Sequence, residues 1–336
     1  MSLRHDLPDR GDMIARLIAL NTISSRGDPA LDHSNRPVID LVAEWAEACG
    51  CTVRITDVPG KPGKHNLIAT LGSGPGGLAL GGHADTVPWD AHRWSFDPFR
   101  ATEHDGRIYG LGSCDMKSFL ALAVEAAASF SARALHRPLH LVVTADEESD
   151  MSGARALARD DEFAPSAAII GEPTELKPVR MHKGMFMERL RLIGQSGHSS
   201  DPAHGNSALE GMHTAIRELL EFRGHLQARH HADAFRVPGP TLNLGQIRGG
   251  DSPNRICGEC ELSYDLRILP GMDLEAERRE IRRRVHAALA DTGLDVRFET
   301  LFEGTPPAET DADAPLVRVT EELTGRSAGA VAFGTE

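Results

Sequence analysis

The sequence predicts an α/β protein: a largely parallel mixed sheet flanked by helices, with a ferredoxin-like α+β (β-α-β-β-α-β) domain inserted into it. Three observations predict this. Up to about residue 181, short and mostly apolar strands alternate with helical stretches, the pattern of a sheet covered on both faces. From residue 182 to 303 the order becomes β-α-β-β-α-β. From residue 304 to 336 helical spacing returns, so 182–303 reads as an insertion between 1–181 and 304–336.

The elements follow from local patterns. Met13, Leu17, Ile18 and Leu20 recur at helical spacing, and Pro37-Val-Ile-Asp-Leu-Val-Ala-Glu-Trp-Ala46 repeats the pattern, so about 10 to 50 is expected to be helical. Pro37 suits a first helical turn. Thr52 to Thr56 alternates like a strand, and Asn66 to Leu71 and Leu78 to Leu80 are further strands. Lys117 to Ser131 is Ala-rich, with Phe119, Leu122 and Ala126 on one face, and is expected to be a helix. Leu139 to Thr144 and Ala167 to Ile170 are buried strands, with a helix from Ser152 to Arg159 between them. In the second domain the strands are Phe186 to Ile193, Thr241 to Ile247, Ile256 to Ile268 and Leu294 to Thr300. Its helices are Ser207 to Leu226 and Asp273 to Thr292. A linker-like Thr305 to Pro315 leads to a helix at Leu316 to Thr324 and an apolar run at Ala328 to Phe333.

Bulk properties exclude several classes. The formal net charge is −13, from 36 basic and 49 acidic residues, which argues against general binding to nucleic acid or anionic lipid. There is no apolar run of about 18 residues, and Met1 to Arg10 lacks the apolar stretch of a signal peptide, so no membrane span is expected and a cytoplasmic location is. Five cysteines form no disulfide framework. Cys257 and Cys260 form a lone C-x-x-C whose side chains would face opposite sides of a strand, so these cysteines are expected to be structural.

Candidate chemistry gathers at strand ends. Gly81-Gly-His-Ala-Asp-Thr86 delivers His83 and Asp85 to a sheet edge. Asp115 lies between a glycine-rich loop and a helix start, Glu147 and Glu148 follow an apolar strand, and Glu172 follows another. One His and several carboxylates on one sheet edge suit a hydrolytic zinc pair. Taken singly, each has a plainer alternative. His83 can be an ordinary turn histidine, Asp115 a helix N-cap, Glu147-Glu148 a solvated loop beside Asp146 and Asp150, and Glu172 a capping carboxylate. Their joint order and spacing is the specific signal.

The set His83-Ala-Asp85, Asp115-Met-Lys117, Glu147-Glu148 and Gly171-Glu-Pro173 resembles the M20 metallopeptidase-like zinc hydrolases. Further segments, including His182-Lys-Gly184, Gly197 to Pro202 and Gly249 to Arg255, resemble the bacterial N-acetylornithine deacetylase branch. The resemblance implies two Zn2+ ions, with Co2+ fitting the same ligands. It makes Asp115 the bridging ligand, His83, Glu148 and Glu172 the other ligands, Glu147 the general base and Asp85 the orienting carboxylate. His198 would stabilise the oxyanion in a neighbouring subunit's site, and Asn254 and Arg255 would bind substrate, the guanidinium suiting an α-carboxylate. The implied reaction is hydrolysis of N-acetyl-L-ornithine to L-ornithine and acetate, for arginine biosynthesis, by a homodimer joined through the inserted domain. Alternatives are an N-acetylcitrulline or N-succinyl-diaminopimelate deacylase, or an inactive homologue that only dimerises. The family's last zinc-ligand histidine lies beyond Phe333-Gly-Thr-Glu336, so the resemblance implies a C-terminally shortened catalytic domain.

Overall fold

A computed structural model describes residues 7–335; the first six residues of the segment read above for a leader lie outside it. The chain divides at Glu175/Leu176 into two units.

The first unit contains α1 (Arg10–Ile18), α2 (Arg36–Ala48), β1 (Thr52–Asp57), β2 (His65–Leu71), β3 (Leu78–His83), β4 (Thr102–His104), β5 (Arg107–Tyr109), α3 (Lys117–Ala128), β6 (Leu139–Thr144), α4 (Ser152–Leu157) and β7 (Ala167–Ile170). The expected helical stretch of 10 to 50 is two helices, with residues 19–35 as a loop between them. Asp9 caps α1 by accepting from the Asp12 amide, and Pro37 opens α2. The β4–β5 hairpin lies outside the strands expected from the sequence. Its turn is Asp105-Gly106, both left-handed at φ 50° and 70°, and Asp-Gly is a known signal for such a turn.

The main sheet has the order β1-β2-β6-β3-β7. It is mixed, as expected, but its parallel part is confined to β6-β3-β7. β2 runs antiparallel to both β1 and β6. The reason is connection length. Only a short loop joins β1 to β2, which permits a hairpin, whereas β3 reaches β6 through α3, and β6 reaches β7 through α4. The carboxyl ends of β3, β6 and β7 therefore share one edge. Met13, Leu17, Val42, Trp45, Leu120 and Val124 from the helices and Leu67, Leu71, Leu141 and Val143 from the sheet form one buried cluster. Each such side chain contributes roughly 1.5–3 kcal/mol by leaving water, so the sheet edge stands on a stiff base.

The second unit contains β8 (Val179–His182), β9 (Gly184–Ile193), α5 (Ala208–Arg229), β10 (Thr241–Gly249), β11 (Glu259–Ile268), α6 (Leu274–Leu289), β12 (Asp295–Thr305), β13 (Ala308–Glu309), α7 (Pro315–Thr324) and β14 (Gly329–Val331). The sheet β10-β11-β9-β12 is antiparallel throughout, which with α5 and α6 is the ferredoxin-like arrangement. Ser207 caps α5 and Asp273 caps α6 through their side chains. A small sheet β13-β8-β14 accompanies it; β8 and β13 had no sequence signal strong enough to place them. Among the described residues all five cysteines are free, and no helix is long and apolar enough to cross a membrane.

Candidate active site

His83 ends β3 and is fully buried. Its Nδ1 lies 2.9 Å from the Asp85 carbonyl oxygen. A carbonyl only accepts, so Nδ1 carries a proton, and Nε2 is the ring atom that faces the carboxylates at the edge. That Nε2 lies 3.1 Å from Asp115 Oδ1 and 4.0 Å from Glu172 Oε1. The ring is thus held by the backbone of Asp85 and not by its carboxylate, which stands 3.7 Å away. The Asp85 carboxylate is committed elsewhere. It accepts from the Glu147 amide at 3.2 Å and the Glu148 amide at 3.1 Å, and so holds the turn after β6.

Asp115 lies one residue before the N-cap of α3 and does not cap it; the N-cap is Met116, which has no capping bond. The Asp115–Met116 peptide is cis. The glycines beside His83 explain how α3 comes this close. A Cβ on Gly82 would lie 2.5 Å from Met116 Cε, and one on Gly171 would lie 2.0 Å from the Phe119 ring. Gly82→Ala is therefore expected to push the start of α3, and Asp115 with it, away from His83, destabilising the fold by roughly 1–3 kcal/mol. Thermal unfolding and metal content check this; an unchanged midpoint would mean that Met116 moves aside freely.

The donors fall into two groups that share the imidazole. His83, Asp115 and Glu148 offer ligand atoms within 4.8 Å of one another, and so do His83, Glu147 and Glu172. An imidazole nitrogen facing carboxylates fits a divalent cation, which would take the place of an Nε2 proton, and two overlapping groups fit a pair. The electrostatics agree. Burial lifts the Glu148 carboxyl to about 7; His83 pulls it down, and Asp115, Asp85 and Glu172 push it up. Burial also raises Asp85, against the pull of His83. Nearby, burial lowers Lys117 to about 8, with Asp85 opposing. Its Nζ donates to the Leu20 carbonyl at 2.7 Å, which ties α3 to the end of α1.

These shifts set a pH dependence. Glu148 is raised above its ordinary range, so its contribution to metal-free stability is present below about 4.5 and is lost as pH rises through about 7. A cation takes the proton's place. The rise in melting temperature on adding Zn2+ is therefore expected to grow between about pH 5.5 and 8. A rise independent of pH would exclude Glu148 from the ligand set.

His198, Asn254 and Arg255 belong to the second unit and lie together within it. His198 and Arg255 form an isolated antiparallel bridge, and the Ser199 amide donates to the Asn254 carbonyl at 3.0 Å. The His198 Nδ1 accepts from the Ser200 amide at 3.2 Å and stands 2.7 Å from the Ser200 hydroxyl. Arg255 donates to Asp251 at 2.7 Å, and all three side chains are exposed. Asp146, named above only as a flank of the glutamates, is an anchor of the site that the sequence reading missed. Its burial at the acidic end of an apolar strand, after buried Ala145 and before half-buried Glu147, leaves no trace in the local pattern.

Comparison with known proteins agrees with this geometry. Residues 79–334 match the model of Peptidase family M20/M25/M40. An acetylornithine deacetylase of Edwardsiella ictaluri (strain 93-146) is 46% identical over 330 residues, covering 98% of this chain and 86% of that protein. Among solved structures, a tripeptidase from Staphylococcus aureus superposes with a TM-score of 0.72 at 19% identity, over 97% of this chain and 84% of that one. An M20 family metallo-carboxypeptidase from Sulfolobus solfataricus gives 0.71 at 15% identity, over 97% and 86%. The two low-identity structures share the fold, and the family match with the deacetylase likeness goes further: this chain belongs to the M20/M25/M40 peptidase family and is a metal-dependent amidohydrolase.

Proposed function

We propose that the protein hydrolyses the acetyl amide of N-acetyl-L-ornithine, releasing L-ornithine and acetate. The observation that carries this reading is the 46% identity to an acetylornithine deacetylase over 98% of the chain. The arrangement of donors around His83 supports a pair of divalent cations, with zinc the metal we assign and cobalt a substitute. Asp115, His83, Glu148 and Glu172 would hold them, with Asp115 the assigned shared ligand. Bound there, the cations would supply Lewis-acid polarisation of the acetyl carbonyl and a lowered pKa for water.

The chain's own residues do the rest. Glu147 takes the proton of the water that attacks the carbonyl carbon. It returns that proton to the nitrogen as the C–N bond breaks, so the amine leaves neutral. Asp85 keeps Glu147 aimed through its bonds to the turn amides. His198 of a neighbouring subunit would donate to the developing oxyanion, and Asn254 and Arg255 would bind the substrate's α-carboxylate. The division into 1–181, 182–303 and 304–336, dimerisation through the middle segment, a cytoplasmic location and a place in arginine biosynthesis belong to the same proposal.

The test is release of L-ornithine from N-acetyl-L-ornithine by the zinc-loaded protein. N-acetyl-L-citrulline and N-succinyl-diaminopimelate serve as competitors, and a chelated sample as control. Faster turnover of a competitor would replace the substrate assignment.

A further inference from the structure

The turn that carries Glu147 and Glu148 begins in a demanding conformation. Asp146 is left-handed at φ 60°, which a non-glycine residue holds only when its surroundings impose it. Its carbonyl accepts from the Asp150 amide at 3.0 Å and the Met151 amide at 2.6 Å, closing the turn. Its carboxylate is buried and points away from the glutamates into a polar cluster. Ser24 donates to one oxygen at 2.9 Å and Ser152 to the other at 2.8 Å. The remaining partner is Lys64, whose Nζ lies 2.8 Å from Asp146 Oδ1.

Lys64 is itself buried, at 4% exposure. Its ammonium has three hydrogens, and three acceptors meet it: Asp146, Asp32 at 2.7 Å and the His33 carbonyl at 2.9 Å. It stands just before β2, in the loop after β1. The same loop supplies Lys61, which pairs with Asp150 at 2.6 Å. One loop therefore grips both ends of the 146–150 turn. Only the Lys64 end is dry, where a charge pair resists rearrangement most.

We propose that Lys64 is a positioning residue of the metal site: its buried pair with Asp146 fixes the turn that aims Glu147 and Glu148. Nothing in its sequence context marks it, since it lies far along the chain from every candidate ligand. The proposal rests on the roles given above to Glu147 and Glu148. It differs from a stability role in what it demands. A brace for the fold alone would lower the melting temperature without altering how the folded protein holds a cation.

The experiment titrates Co2+ into the metal-free protein and its Lys64→Met and Lys64→Arg variants, following the visible absorption of the bound ion. The titration is done well below each melting temperature. Lys64→Met is expected to bind Co2+ about 10–100-fold more weakly, with an altered spectrum, because supporting partners of ligands carry effects of that size. Lys64→Arg is expected to recover most of the affinity. Asp32→Asn, which removes the other carboxylate on Lys64 and leaves the Asp146 pair, is expected to bind as the parent does. Where the wild type turns over substrate, kcat should fall in Lys64→Met while KM stays within about threefold. A folded Lys64→Met with parental affinity and spectrum overturns the proposal. Should that variant not fold, Asp146→Asn decides. It removes the charge of the pair while Lys64 keeps Asp32 and the His33 carbonyl, and unchanged Co2+ binding there also overturns the proposal. A wild type that binds Co2+ but releases no ornithine would defeat the substrate assignment and leave the positioning result readable.

Discussion

Replacing Glu147 with alanine is expected to leave the metal content intact and reduce kcat by about 10²–10⁴-fold, the range of a lost general base. Glu147 and Glu148 are adjacent, and both of their amides bond the Asp85 carboxylate, so the backbone that presents them survives the change. Glu148 belongs to the donor group with His83 and Asp115, whereas Glu147 approaches His83 together with Glu172. The two roles are therefore separable by one pair of measurements. Metal content by atomic absorption and turnover on the same sample distinguish them. Intact metal with lost turnover assigns the base. Lost metal would make Glu147 a ligand and move the search for the base to another carboxylate. KM is expected to change little, because the base acts on the attacking water and not on the bound amino acid.

Replacing Asp115 with alanine is expected to have the opposite signature: metal content falls from about two ions per chain toward none. Asp115 Oδ1 lies 3.1 Å from the His83 Nε2. Its side chain is 47% exposed, so its removal leaves no large cavity, and the fold should survive. The crowding argues in the same direction. Asp115 helps push Glu148 up, so without Asp115 the metal-free Glu148 should ionise more readily. A folded Asp115→Ala protein that keeps full metal would exclude Asp115 as the shared ligand. Retention of one ion would make it a ligand to a single metal.

Much of the architecture was legible because it rests on local periodicity. The apolar strands Leu139 to Thr144 and Ala167 to Ile170 and the Ala-rich helix from Lys117 each declare themselves within a dozen residues. The β-α-β-β-α-β order of the second unit is equally a property of the chain read in line. Chain-order reading is weakest at pairing. The antiparallel pairing of β2 with β6, and the short β8 and β13, depend on partners distant in sequence. No local pattern encodes which strand lies beside which.

The candidate site divides the same way. By itself the sequence determined that His83, Asp115, Glu147, Glu148 and Glu172 stand at strand ends or turns, because the residues before them are apolar runs or glycines. Gly82 and Gly171 were visible too, though not their reason, which is the approach of Met116 and Phe119. Only the tertiary structure decided what each group bonds. It put the Asp85 carbonyl, and not its carboxylate, on His83, and gave that carboxylate to the glutamate turn. It also brought Lys64 and Ser24 onto Asp146 across long stretches of chain. The physical reason is that a side chain's type and face follow from its neighbours in sequence, whereas its hydrogen-bond partner follows from which distant segments share the space around it. Burial then makes that partner obligatory.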